Sequence, residues 1–191
     1  MTNWSRFYRT ANKSEKSMMS NSRGHQHELL IEGACRYYKA MNRAYIVKEA
    51  EPFRVMTKDR ANGTAKVQFT KHAQPDFHGT LKGGRAIVFE AKFTDTPRIK
   101  QDVISQEQAD SLNRQMTLGA ACFVCVGIQL QAYMVPWHIF SDMKSYYGHK
   151  YADAGNLEEW RVNNDGVIKF LDYYHRAAQT VMESLEMEVK V

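Results

Sequence analysis

The spacing of apolar positions divides the chain into short elements of alternating type. Leu30, Ala34, Tyr37, Tyr38 and Met41 recur at helical spacing and predict a helix over residues 25–41, with Asn42 as its stop. Apolar runs at residues 44–48, 53–58 and 65–70 predict strands. The last two flank Asn62-Gly63, a tight hairpin signal because both residues accept positive φ. Residues 77–81 and 85–92 predict a second hairpin about Gly83-Gly84. A helix is expected over residues 105–118, closed by Gly119. Strands over 120–127 and 132–135 and a short helix over 136–144, opening on Pro136, come next. A loop over 145–165 and an amphipathic helix over 167–189 complete the order. The class this implies is α/β, a mixed central β-sheet flanked by helices.

Ahead of the first helix, residues 1–22 are polar and non-periodic and read as a flexible basic arm, with residues 23–191 as a single domain. Trp4, Phe7 and Tyr8 interleave with Arg6 and Arg9, a pattern that suits base stacking or a frayed terminus equally. Hydrophobic residues make up 43%, enough for a core. No apolar run of membrane-spanning length occurs and the first 26 residues hold no secretory core, so the expected location is the cytoplasm. Cys35, Cys122 and Cys125 are an odd set. Cys122 and Cys125 lie in one apolar run, where residues three apart face opposite ways, so the three are expected as buried thiols.

Charge changes the picture by its distribution. The chain carries +5 overall, but residues 1–27 carry +4 and residues 39–72 carry +5. The basic excess lies in the first 72 residues and suits a polyanion partner, the alternative being a solvated face. Much of it sits on the first hairpin, about residues 53–72, which carries Arg54, Lys58, Arg60, Lys66 and Lys71.

The candidate chemistry is at the second hairpin. Pro75-Asp76 precedes its first strand and Glu90-Ala91-Lys92 ends its second. Alternation puts Glu90 and Lys92 on one face and Ile87, Phe89 and Ala91 on the other. The Gly83-Gly84 turn folds Asp76 beside Glu90. Two adjacent carboxylates repel unless a cation lies between them, and oxygen ligands with room for water favour Mg²⁺, with Mn²⁺ as a substitute. Lys92 is placed to orient a water and to offset charge developing on a phosphate. Such residues are common, and an Asp in a turn with a Glu/Lys pair on a solvent face is the alternative. The scattered His25, His27, His72 and His78 have no zinc-ligand spacing.

Arg23-Gly24 with Glu28 opening a helix, the hairpin insertion, Pro75-Asp76-Phe77-His78-Gly79, Lys82-Gly83, Phe89-Glu90-Ala91-Lys92, Gln108 and Gly119-Ala120-Ala121-Cys122-Phe123-Val124 occur in the order of the RecU-type Holliday junction resolvases, PD-(D/E)xK nucleases, which the chain resembles over about residues 21–145. The resemblance implies a restriction-endonuclease-like core with the basic hairpin as a protruding stalk that enters a four-way junction. It implies a Mg²⁺-dependent endonuclease acting on branched DNA as a homodimer, with a recombinase as a possible partner. Asp76 and Glu90 are then metal ligands and Lys92 stabilises the transition state. Gln108 falls at a further metal-site position, although Ser105-x-x-Gln108 also reads as a capping box. Gln74 stands where the family has Thr, and Glu28 matches an acidic helix residue near the site. Arg23 and the stalk cations are the expected DNA contacts. The segment from Phe93 to Pro97 departs from the family. A nuclease for duplex, flap or restriction-like substrates, and a non-catalytic DNA-binding recombination accessory protein, are the rival functions.

Overall fold

The computed structural model describes residues 13–50, 53–69 and 74–173. The first helix, α1, runs over Lys13–Ala40. It therefore reaches back over residues 13–22, which the polar composition assigned to the arm, while Trp4, Phe7 and Tyr8 lie outside the described residues. Asn42 ends it at φ 52 and turns the chain into β1, Ala44–Lys48. The strands β4 (Phe77–Leu81) and β5 (Ala86–Thr94) form the expected hairpin. Its turn needs Gly83 and Gly84 at φ 98 and 94, which only glycine adopts readily. After the three-residue β6, Arg98–Lys100, and a 3₁₀ turn comes α2, Gln106–Thr117. Strands β7 (Ala121–Ile128) and β8 (Gln131–Pro136) follow.

These strands make one sheet in the order β1-β4-β5-β7-β8, antiparallel except for the parallel pair β5 and β7. The mixed sheet flanked by helices is the expected α/β architecture. All eight residues of β7 are buried, as a central strand covered on both faces requires. One face packs on α1 through Ile31, Ala34 and Tyr38, with Phe89 stacked on Phe77. On the other, α2 packs over β5 and β7. The sheet approaches closely at Gly79, where a Cβ would stand 2.1 Å from the Tyr45 carbonyl oxygen. All three cysteines are buried free thiols. No helix among the described residues is long and apolar enough to cross a membrane.

Beyond β8 the structure departs from the sequence reading. The expected loop over 145–165 contains the end of a short helix, Met143–Tyr147, then β9 (Tyr151–Asp153), a 3₁₀ turn and β10 (Val162–Asn164). The expected tail helix begins as a strand, β11 (Ile168–Tyr173), paired with β10, and residues 174–191 lie outside the described residues. Gly166 at φ 87 makes the turn, and Ile168 and Phe170 then point inward in alternation. Phe170 packs on both Tyr38 and Phe89. The contact with α1 and the sheet overrides the helical spacing of the side chains.

The stalk is a separate two-stranded ribbon of β2 (Phe53–Asp59) and β3 (Thr64–Phe69), with β2 exposed along its whole length. The hairpin about Asn62-Gly63 forms as expected, although Asn62 does not take positive φ. Only Gly63 has positive φ, and Asp59 closes a four-residue loop by accepting from the Ala61 and Asn62 amides and from Asn62 Nδ2. The Asp59 carboxylate competes well for those donors, which explains why Asn62 stays at negative φ.

Candidate active site

Phe77 pairs with Phe89 across the hairpin, so Asp76, one residue before β4, falls opposite Glu90. Two backbone bonds fix it: Asp76 Oδ2 accepts from the Ala91 amide at 2.9 Å, and its carbonyl accepts from the Glu49 amide at 2.8 Å. Glu90 is 0% exposed. The alternation reading placed it on a charged strand face, and the covering helix α2 explains why that face is buried. Glu90 Oε2 accepts from Lys92 Nζ at 3.2 Å and from Gln108 Nε2 at 2.5 Å. Its other oxygen, Oε1, is buried with no hydrogen-bond partner among the described residues. Lys92 Nζ lies 4.0 Å from Asp76 Oδ2, so it faces both carboxylates.

Burial, and then the neighbouring Asp76 carboxylate, push the Glu90 carboxyl up to about 8, against the pull of Lys92. A buried oxygen without a donor, next to a second carboxylate, fits a divalent cation bound on oxygen. Among the described residues no group of three or more His, Cys, Asp and Glu could hold a metal ion, and Asp76 and Glu90 stand as a pair.

Gln108 forms the capping box and also reaches Glu90. Its Oε1 accepts from the Ser105 amide at 3.1 Å and its backbone amide donates to Ser105 Oγ, the reciprocal capping box. An amide nitrogen must donate and a carboxylate must accept, so the side chain is held with its NH₂ toward Glu90. Its carbonyl oxygen is engaged by the helix cap.

The remaining expected residues make other contacts. Glu28 bonds Lys48 at 2.8 Å, and Lys48 also reaches Glu32, one strand away from the carboxylate pair. Gln74 is exposed in the bend before buried Pro75. Arg23 is tied to Asp95, a pairing across 72 residues that no local pattern signals. Arg54, Lys58, Arg60 and Lys66 are exposed on the stalk, and Lys71 and His72 lie outside the described residues. His27 is buried, bonded to the Cys125 carbonyl and packed against Phe93, and burial lowers its pKa, so it is a core residue.

A family comparison places this site in context. Residues 22–177 match the model described as RecU, recombination protein U. The chain belongs to that family and is a Holliday junction resolving nuclease. Among solved structures it is similar to Hjc, a Holliday junction resolvase from Archaeoglobus fulgidus, with a TM-score of 0.42 and 11% identity over 66% of this chain and 88% of that one. No curated protein sequence matches.

Proposed function

We propose that the chain cuts four-way junctions by Mg²⁺-dependent phosphodiester hydrolysis at Asp76, Glu90 and Lys92, with Mn²⁺ able to substitute. The supporting observation is the buried, partnerless Oε1 of Glu90 beside the Asp76 carboxylate and the Lys92 ammonium. Asp76 and Glu90 hold the ion. The ion when bound supplies an activated water and neutralises phosphate charge. Lys92 orients the attacking water and offsets charge developing on the phosphate oxygens. Gln108 steadies Glu90 from the α2 side, and Gln74 and Glu28 are the further members of the site. The ribbon cations Arg54, Lys58, Arg60 and Lys66 grip junction phosphates, and Arg23 and Lys71 extend that set.

Two strands must be cut to resolve a junction, so the working form is a homodimer. Its place is the cytoplasm, where recombination intermediates occur and a recombinase could meet it. The test is a substrate panel of four-way junction, flap and linear duplex, incubated with Mg²⁺ and separately with chelator. Paired incisions confined to the junction and absent in chelator are expected. Equal cutting of all three substrates, or cutting in chelator, overturns the proposal.

A further inference from the structure

Strand β1 ends the sheet, and among the described residues no strand pairs with its outer side. Natural edge strands are guarded against pairing by lysines, prolines, bulges or a covering element. The centre of β1 is Tyr45-Ile46-Val47, all with high strand propensity. Tyr45 is 56% exposed and Val47 37% exposed. The strand's one lysine, Lys48, is drawn away to Glu28 and Glu32 on α1.

We infer that the β1 edge is the interface with a second copy of this chain, the two strands pairing antiparallel about Ile46. This rests on the homodimer of the proposed function and names its surface. Pairing about Ile46 sets Tyr45 opposite Val47 of the copy, twice, and Ala44 opposite Lys48. Aromatic and β-branched side chains directly opposite each other are a favourable cross-strand pair. The strand is thus complementary to itself, as a two-fold interface requires.

The same pairing orients the two sites usefully. Tyr45 pairs with Thr80 and Val47 with His78, while His78 pairs with Val88 and Thr80 with Ala86. Alternation puts Ala86, Val88 and Glu90 on one face, so Tyr45 and Val47 share the Glu90 face. A two-fold axis normal to the sheet keeps that face common to both copies. The two Glu90 residues then stand on one side of a continuous ten-stranded sheet. Five inter-strand steps of about 4.8 Å separate them across the sheet, and the three-residue offset of Glu90 from the Ile46 row in each copy adds about 20 Å along the strands, about 31 Å in all.

Disulfide trapping of the full-length protein tests the register. Residues 45 and 47 of opposite copies are in direct register, within about 5.5 Å between Cα atoms, whereas residue 45 and its own copy are about 8 Å apart and cannot be bridged. The Tyr45→Cys, Val47→Cys double variant is therefore expected to form a covalent dimer on oxidation, and each single variant is not. Cys35, Cys122 and Cys125 are buried and do not compete. Val47→Lys should shift the protein from dimer to monomer in light scattering while its circular dichroism stays that of the folded chain. A dimeric wild type whose double variant fails to cross-link overturns the inference. So does a monomeric wild type, in which slow exchange of the β1 amides would assign the edge to other residues of the same chain. Incision of the junction by the wild type, measured alongside, reports on the nuclease reading separately.

Discussion

Replacing Glu90 with Gln should stabilise the metal-free protein, and only at high pH. Burial and Asp76 raise the Glu90 carboxyl from an ordinary 4.5 to about 8. The native state therefore holds a proton between those values that the unfolded chain has already released. Stability contributed by that proton is present below about pH 4.5 and falls as pH rises to about 8. At about 1.4 kcal/mol per pH unit, the ionised group costs the metal-free fold up to about 5 kcal/mol above pH 8. Gln carries no charge, and the value of about 8 already includes the pull of Lys92; discounting the cost by about half for relaxation around the buried group, a net gain of about 2–3 kcal/mol is the expectation. For a chain of this size that is about 5–10 °C in melting temperature. The assay is thermal unfolding of both proteins in chelator from pH 5 to pH 9. The two curves should nearly coincide at pH 5 and separate as pH rises, and Mg²⁺ should narrow the gap at pH 9 by stabilising the wild type alone. A variant that melts no higher than wild type at pH 9, or an identical difference at pH 5 and pH 9, refutes the reasoning.

Other perturbations probe the stalk and the frame. Lys58→Ala with Arg60→Ala should weaken junction binding far more than duplex binding in competition assays, and should flatten the salt dependence by about 0.9 in slope for each phosphate no longer neutralised; equal weakening on both substrates would make the ribbon a general phosphate grip. Gly127→Ala places a Cβ 2.7 Å from both the His27 ring and Phe93, so denaturant melts should show destabilisation of about 1–3 kcal/mol by overpacking. Tyr38→Phe removes a buried hydroxyl that donates to Asp172 and accepts from the Leu171 amide, tying α1 to β11, and should cost about 1–3 kcal/mol in the same assay.

The hairpin of β4 and β5 was legible because its signals are local. Gly83-Gly84 fixes a turn, and strand alternation from that turn puts Asp76 opposite Glu90 without further information. The burial of Glu90 was not legible, since it depends on α2 lying over that face, and the α2 sequence alone does not say which strand it covers. Gln108 was ambiguous for a chemical reason, because one amide has both a donor and an acceptor and the fold uses both. The C-terminal strand was misread because 167, 170, 171 and 174 match a helix as well as Ile168 and Phe170 match a strand. Only the packing of Phe170 on Tyr38 and Phe89 decides between them. The Arg23 to Asp95 pair, 72 residues apart, leaves no local trace at all.

The most direct test of the central claim is single-turnover cleavage of an end-labelled four-way junction by the wild type and by Asp76→Asn in Mg²⁺, with junction binding measured on the same samples. Asp76→Asn removes one ligand charge at constant volume, and forfeiting several kcal/mol of metal-supplied stabilisation slows cleavage at least about a hundredfold. The account predicts that slowing with binding nearly unchanged, because affinity rests on basic residues elsewhere. Cleavage at the wild-type rate by the folded, DNA-bound variant would contradict it.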